Sequence, residues 1–122
     1  MKTNAQNLQV LYEDNHLIAI NKRAGDIVQG DKTGDIPLSE IVKSYLVEKY
    51  HKPGEAYLGV VHRLDRPTTG VVVFAKTSKA LPRLNAAFAT KEEVSKQYWA
   101  LVEKKAIPHQ GTLTHFLVRN TS

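Results

Sequence analysis

An α+β fold, with a mixed, mainly antiparallel sheet and flanking helices, is what the sequence predicts. Three observations carry that prediction. Short runs rich in Leu, Ile and Val near the amino terminus meet at a turn pair, a helical period runs through residues 38–46, and strands and helices follow one another without the regular βαβ alternation of a parallel sheet. The 122 residues suit one domain built on a single core.

Taken in order, Leu8 to Glu13 and His16 to Asn21 read as a hairpin closed by Asp14-Asn15, a pair suited to a tight turn. Lys22 to Gly34 carries three glycines and several charges without apolar periodicity and reads as a loop. Leu38, Ile41, Val42, Tyr45 and Leu46 fall on one helical face, with Asp35 as cap and Pro37 in the first turn; Pro53-Gly54 ends the helix. Gly70 to Ala75 is continuously apolar and β-branched, the pattern of a central strand covered on both faces. Ser78 is placed to cap a second helix with Leu81, Leu84, Ala87 and Phe88 on its apolar face, and Pro82 is tolerated near the first turn. Val94 to Glu103 alternates as a strand does, and a last strand is expected from Thr112 to Val118. No internal repeat interrupts this series.

Seventeen Lys and Arg face 12 Asp and Glu, a net charge of +5 that favours a polyanionic partner such as nucleic acid without requiring one. The chain has no cysteine, which excludes disulfides, thiolate catalysis and Cys-ligated zinc and fits a cytoplasmic location. No apolar run approaches the roughly 20 residues of a membrane span, so no membrane partner is expected.

The chemically informative stretch is Val61-His62-Arg63-Leu64-Asp65-Arg66-Pro67-Thr68-Thr69-Gly70, a loop leading into the apolar strand. It sets one carboxylate among Arg63, Arg66 and His62, and nearby positive charge keeps such a group ionised. Read from these residues alone, Asp65 is a nucleophile, a general base, or one member of a solvated ion pair. His62-x-x-Asp65 also offers two metal ligands, but no second His cluster stands at ligand spacing, and no metal is expected.

His62 to Gly70, continued by Val-Val-Val-Phe-Ala-Lys-Thr, resembles the nucleophile motif of RluA-type pseudouridine synthases. Val10 to Lys22 resembles that family's opening hairpin, Lys96-Gln97-Tyr98-Trp99-Ala100-Leu101-Val102 its Lys-x-Tyr-x-Ala strand, and Gly111-Thr112-Leu113 the start of the strand that follows. The resemblance implies a pseudouridine synthase catalytic fold, here incomplete, in which Asp65 attacks a uridine so that the base detaches, rotates and rejoins ribose through carbon. It implies no cofactor. Tyr98 matches the active-site tyrosine, whose ring stacks on uracil and whose hydroxyl takes part in proton transfer. Strand alternation sets Lys96 and Tyr98 on one face roughly 6.6–6.8 Å apart, with Trp99 turned to the core. Arg63, Arg66, Lys76 and Lys96 are candidates for contacts with RNA, ribosomal or transfer; for Lys76, ordinary surface charge is an equal reading.

Two departures accompany the match. Arg23 stands where the family often has proline, and Gln29-Gly30 where it often has His-Pro. The family's Arg-Thr-His-Gln-type segment, which supplies an arginine partner for the aspartate, has no counterpart before Ser122. The chain is therefore expected to be the amino-terminal part of one catalytic domain, without a separate RNA-binding domain ahead of it, inactive alone and prone to self-association through open sheet edges. A non-catalytic RNA-binding module on the same scaffold is the alternative, and a small hydrolase using Asp65 with His62 a more distant one.

Overall fold

A computed structural model describes residues 2–90 and 92–104, together with Gly111, Thr112, Thr114 and Leu117. The elements are β1 (Val10–Glu13), β2 (Leu17–Lys22), α1 (Leu38–Tyr50), β3 (Gly59–Val60), β4 (Gly70–Ala75) and α2 (Ala80–Ala89). The four strands form one sheet in the order β1-β2-β4-β3, and each neighbouring pair is antiparallel. The expected α+β class holds, and the described sheet is wholly rather than mainly antiparallel.

The hairpin forms where its turn residues put it. The Asp14 carboxylate accepts the amides of His16 and Leu17 at 2.7 and 2.9 Å, so the side chain closes the turn. β2 then pairs with β4 along its whole length, from Leu17 opposite Ala75 to Lys22 opposite Gly70. β4 is central, as expected, but only one of its faces is fully covered. Val72 and Phe74 are wholly buried, whereas Val71 is 53% exposed. β3 pairs only through Gly59 with Ala75 and Val60 with Phe74. A Cβ at Gly59 would lie 2.8 Å from Leu81 Cδ1 and 3.3 Å from Ala75 Cβ, so a larger residue there would push the Leu81 side chain aside.

Ile18, Ile20, Val72 and Phe74 of the sheet pack with Leu38, Val42 and Leu46 of α1, each buried side chain contributing about 1.5–3 kcal/mol. The first helix follows the predicted period, but Asp35 is not its cap. The amides of Leu38 and Ser39 donate instead to the carbonyls of Ile27 and Val28, at 2.7 and 3.1 Å. Those two residues, assigned to a featureless loop, are buried, so the loop both fills the core and satisfies the helix start. Ser78 likewise does not cap α2; Thr77 Oγ1 accepts the Ala80 amide at 3.0 Å. Leu81, Leu84, Ala87 and Phe88 are half-buried, as an amphipathic face requires.

The strand expected at Val94 to Glu103 is not formed: residues 94–102 make no ladder with any described strand. Alternation gives a segment two faces, but a strand exists only where an edge receives its hydrogen bonds. Trp99, assigned to the core, is 98% exposed for the same reason. The strand expected at Thr112 to Val118 lies largely outside the described residues. Among those described, no helix is long and apolar enough to cross a membrane.

Candidate active site

Residues 61–69 form the loop between β3 and β4, and both of its ends are held by polar contacts to the sheet. At the downstream end the holder is Lys22, the last residue of β2. Its ammonium donates to the carbonyls of Thr68, Arg66 and Arg23 at 2.6, 2.9 and 3.1 Å while the residue is 1% exposed. Burial draws the pKa of Lys22 down, and the nearby charges of Asp26 and Asp65 oppose that shift. The charge of Asp65 is thus felt by a buried cation. The Asp65 carbonyl accepts the Thr68 amide at 2.9 Å, which closes a turn directly after the carboxylate. Gly70, at φ +143, lets the chain leave that turn and enter β4.

At the upstream end, His62 Nε2 accepts the Val73 amide at 2.9 Å, and the ring stacks on Phe88 of α2 with centroids 4.6 Å apart. This contact occupies Nε2 and leaves a His62–Asp65 metal pair only Nδ1 of the ring. Among the described residues, no group of three metal-ligating side chains comes together.

Asp65 is exposed and shares an open cleft of about 360 Å³ with Arg63, Leu64 and Arg66 on one side and Ile27 to Asp31 on the other. Among the described residues, no side chain donates to its carboxylate. Arg63 is exposed in the same cleft. Arg66 is differently engaged: its guanidinium donates to Asp31 at 3.0 Å, Asp35 at 3.1 Å, the Gly25 carbonyl at 3.1 Å and Thr33 at 3.2 Å. It clasps the 25–35 loop onto the loop that carries Asp65.

Tyr98 and Lys96 line a neighbouring cleft of about 600 Å³ with His62, Thr68, Thr69, Val71, Val73 and Phe88. Leu64 belongs to both clefts and forms the wall between them. The structure therefore brings Asp65, Arg63 and Arg66 together and sets Tyr98 and Lys96 across Leu64. Lys96 lies over the Phe88 ring, 5.4 Å from its centroid. Lys76 stands apart at the far end of β4. Its ammonium binds Glu13 at 2.6 Å and the Asp14 carbonyl at 2.8 Å, and its side chain is only 12% exposed.

Sequence reasoning missed Lys22 and the acidic partners of Arg66. A signal for Lys22 was present, since period-two alternation puts it on the same face as Ile18 and Ile20, and a lysine on a core face needs acceptors. Nothing local marks Asp31 and Asp35, which meet Arg66 from 35 and 31 residues away.

A loop that presents a carboxylate ahead of a central antiparallel strand, its backbone held by a buried lysine, falls within the match of a family model. That model, described as RNA pseudouridylate synthase, covers residues 16–121. The chain belongs to the RNA pseudouridylate synthase family. An RNA pseudouridine synthase of Mycoplasma capricolum, itself called uncharacterized, is 38% identical over 101 residues, 78% of this chain and 32% of the relative. Ribosomal large subunit pseudouridine synthase C of Vibrio vulnificus is 37% identical over 93 residues, 76% of this chain and 27% of the relative. The solved structure of Human RNA Pseudouridylate Synthase Domain Containing 4 superposes with a TM-score of 0.61 at 28% identity, over 72% of this chain and 33% of that one. The chain thus spans about a third or less of the length of these pseudouridine synthases, and the described fold is consistent with part of a pseudouridine synthase domain.

Proposed function

We propose that this chain carries the nucleophile-bearing part of an enzyme that isomerises a uridine in structured RNA to pseudouridine, with Asp65 as nucleophile. The observation that supports this most is the held turn: Lys22 fixes the carbonyls of Arg66 and Thr68, so the intervening backbone is shaped while Asp65 stays exposed. A fixed, solvent-facing carboxylate is what attack on an extruded nucleotide needs. Bringing the base out of its stack costs a few kcal/mol. Stacking on Tyr98, 65% exposed in the adjoining cleft, returns about 1–3 kcal/mol.

Arg63 is the phosphate or base contact nearest the nucleophile, and Lys96 with Tyr98 extends the surface across Leu64. Arg66 meets RNA only by exchanging Asp31 and Asp35 for phosphate. Lys76, already satisfied by Glu13, serves the sheet rather than the RNA. For substrate, the Vibrio vulnificus relative's name favours large-subunit ribosomal RNA over transfer RNA.

The test replaces Asp65 with Asn in the full-length protein and measures pseudouridine in RNA from cells lacking the gene. Wild type restores the modification, and Asp65→Asn lowers the rate by about 1000-fold or more. Equal rates for the two proteins would overturn the assignment and leave an RNA-binding module, a reading that no observation here favours.

A further inference from the structure

The sheet has an unusual feature beside the nucleophile loop. β4 is paired with β2 throughout, but on its other side β3 stops after Val60, opposite Phe74. Had β3 continued, Val61 would face Val73 and the loop would start two or more residues later. Instead the Val73 amide is taken by a side chain, His62 Nε2, at 2.9 Å.

We infer that His62 is a positioning residue for the nucleophile: its neutral imidazole replaces the ladder hydrogen bond at the point where β3 leaves β4 and so fixes the upstream foot of the loop that presents Asp65. This rests on Asp65 being the nucleophile. Three observations support it. Nε2 is the acceptor, so the ring proton resides on Nδ1 and the tautomer is set. The stack on Phe88 holds the ring plane against α2. Only Arg63 and Leu64 separate His62 from Asp65, while Lys22 holds the opposite foot through Arg66 and Thr68. The loop is thus gripped from both sides by unlike groups, an imidazole that accepts and an ammonium that donates.

The arrangement is sensitive to acid. A protonated imidazole turns Nε2 into a donor facing the Val73 donor, and the contact is lost. Burial, and then the positive charge of Lys96, already push the ring's pKa below 6.5, so it is neutral at pH 7. The charged and titratable groups around it are few. Among the described residues lining its cleft, Lys96 and Tyr98 are the other ionisable ones, whereas α2 and β4 present Phe88, Val71 and Val73. Because the docked pKa is depressed, docking is complete above pH 6.5 and weakens as pH falls through the docked value.

The experiment uses the full-length protein and two readouts. Nitrogen NMR of the His62 ring and the Val73 amide, followed against pH, reads the contact without reference to activity. One titration should move both signals, with Val73 amide protection falling on the acid side. Single-turnover pseudouridine formation in RNA from cells lacking the gene reads the consequence. His62→Phe keeps the stack but removes the acceptor, and should lower the maximal rate by about 10- to 100-fold with half-saturation little changed. His62→Gln keeps an acceptor that does not titrate; it should recover most of the rate at pH 7 and lose the acid limb attributable to His62. A wild-type rate in His62→Phe, an unaltered acid limb in His62→Gln, or independent titration of the two NMR signals overturns the inference. If wild type makes no pseudouridine at all, the functional reading fails, while the NMR titration still decides the contact.

Discussion

Lys22 shows how a residue usually found at the surface becomes a fixture of a site. Its ammonium is buried without a carboxylate in bonding distance among the described residues, and three carbonyls from two loops satisfy it. Replacing it with Met removes a buried charge but leaves the Thr68 carbonyl without a donor and the carbonyls of Arg66 and Arg23 with only the amides of Gly25 and Asp26, at about 1–3 kcal/mol for a buried group so deprived. Lys22→Met is therefore expected to lower the denaturant midpoint and to slow pseudouridine formation although Asp65 is untouched. An unchanged midpoint together with an unchanged rate would show that the turn holds its shape unaided. The loop that carries Asp65 was legible from the sequence because it runs directly into the apolar stretch that forms β4. Arg66 was only half legible. Its charge suggested RNA, but its partners Asp31 and Asp35 reach it through a fold that no local pattern encodes.

At the level of elements, the hairpin, α1, the central strand and α2 were readable because each carries its own period and its own terminator. α1 is the clearest case, with Leu38, Ile41, Val42 and Leu46 all buried on the predicted face. Leu46→Ala should destabilise the protein by about 2–5 kcal/mol, the usual loss for a large-to-small change in a packed core, seen as a lower unfolding midpoint without a change in the exposed loop residues. The caps were not readable. Helix α1 takes its capping carbonyls from Ile27 and Val28, and α2 takes Thr77 in place of Ser78. Backbone acceptors carry no sequence signature, and adjacent hydroxyl residues compete for one amide. The alternation in 94–103 marked which side chains share a face, but not what the backbone would pair with.

Across the whole molecule, Glu13 is the polar node. Its carboxylate accepts from Tyr45 and Lys49 of α1, from Tyr50 at the end of that helix, and from Lys76 just after β4, so it ties β1 to two distant segments. Burial alone would raise its pKa, yet the bonds from Lys76, Tyr50 and Lys49 outweigh burial and hold it at about 2. Because that lies below the ordinary value of 4.5, the stabilisation is complete above pH 4.5 and fades as the pH falls toward 2. Glu13→Gln should cost about 2 kcal/mol at neutral pH, the low end for a buried pair because Lys49 stays half exposed, and should flatten the acid part of the stability curve. A mutant curve as steep as that of wild type between those two values would remove Glu13 from this role.

The turn that presents Asp65 is gripped at both feet before any RNA arrives. Such a segment acts as a rigid die, not a glove: little chain entropy remains to be lost on contact, and the bending is left to the nucleic acid. If the protein isomerises uridine as proposed, turnover would be governed less by the suppleness of the protein than by how readily the chosen uridine swings out of its own strand. On that proposal, discrimination among uridines would begin with the mechanical weakness of the RNA around them.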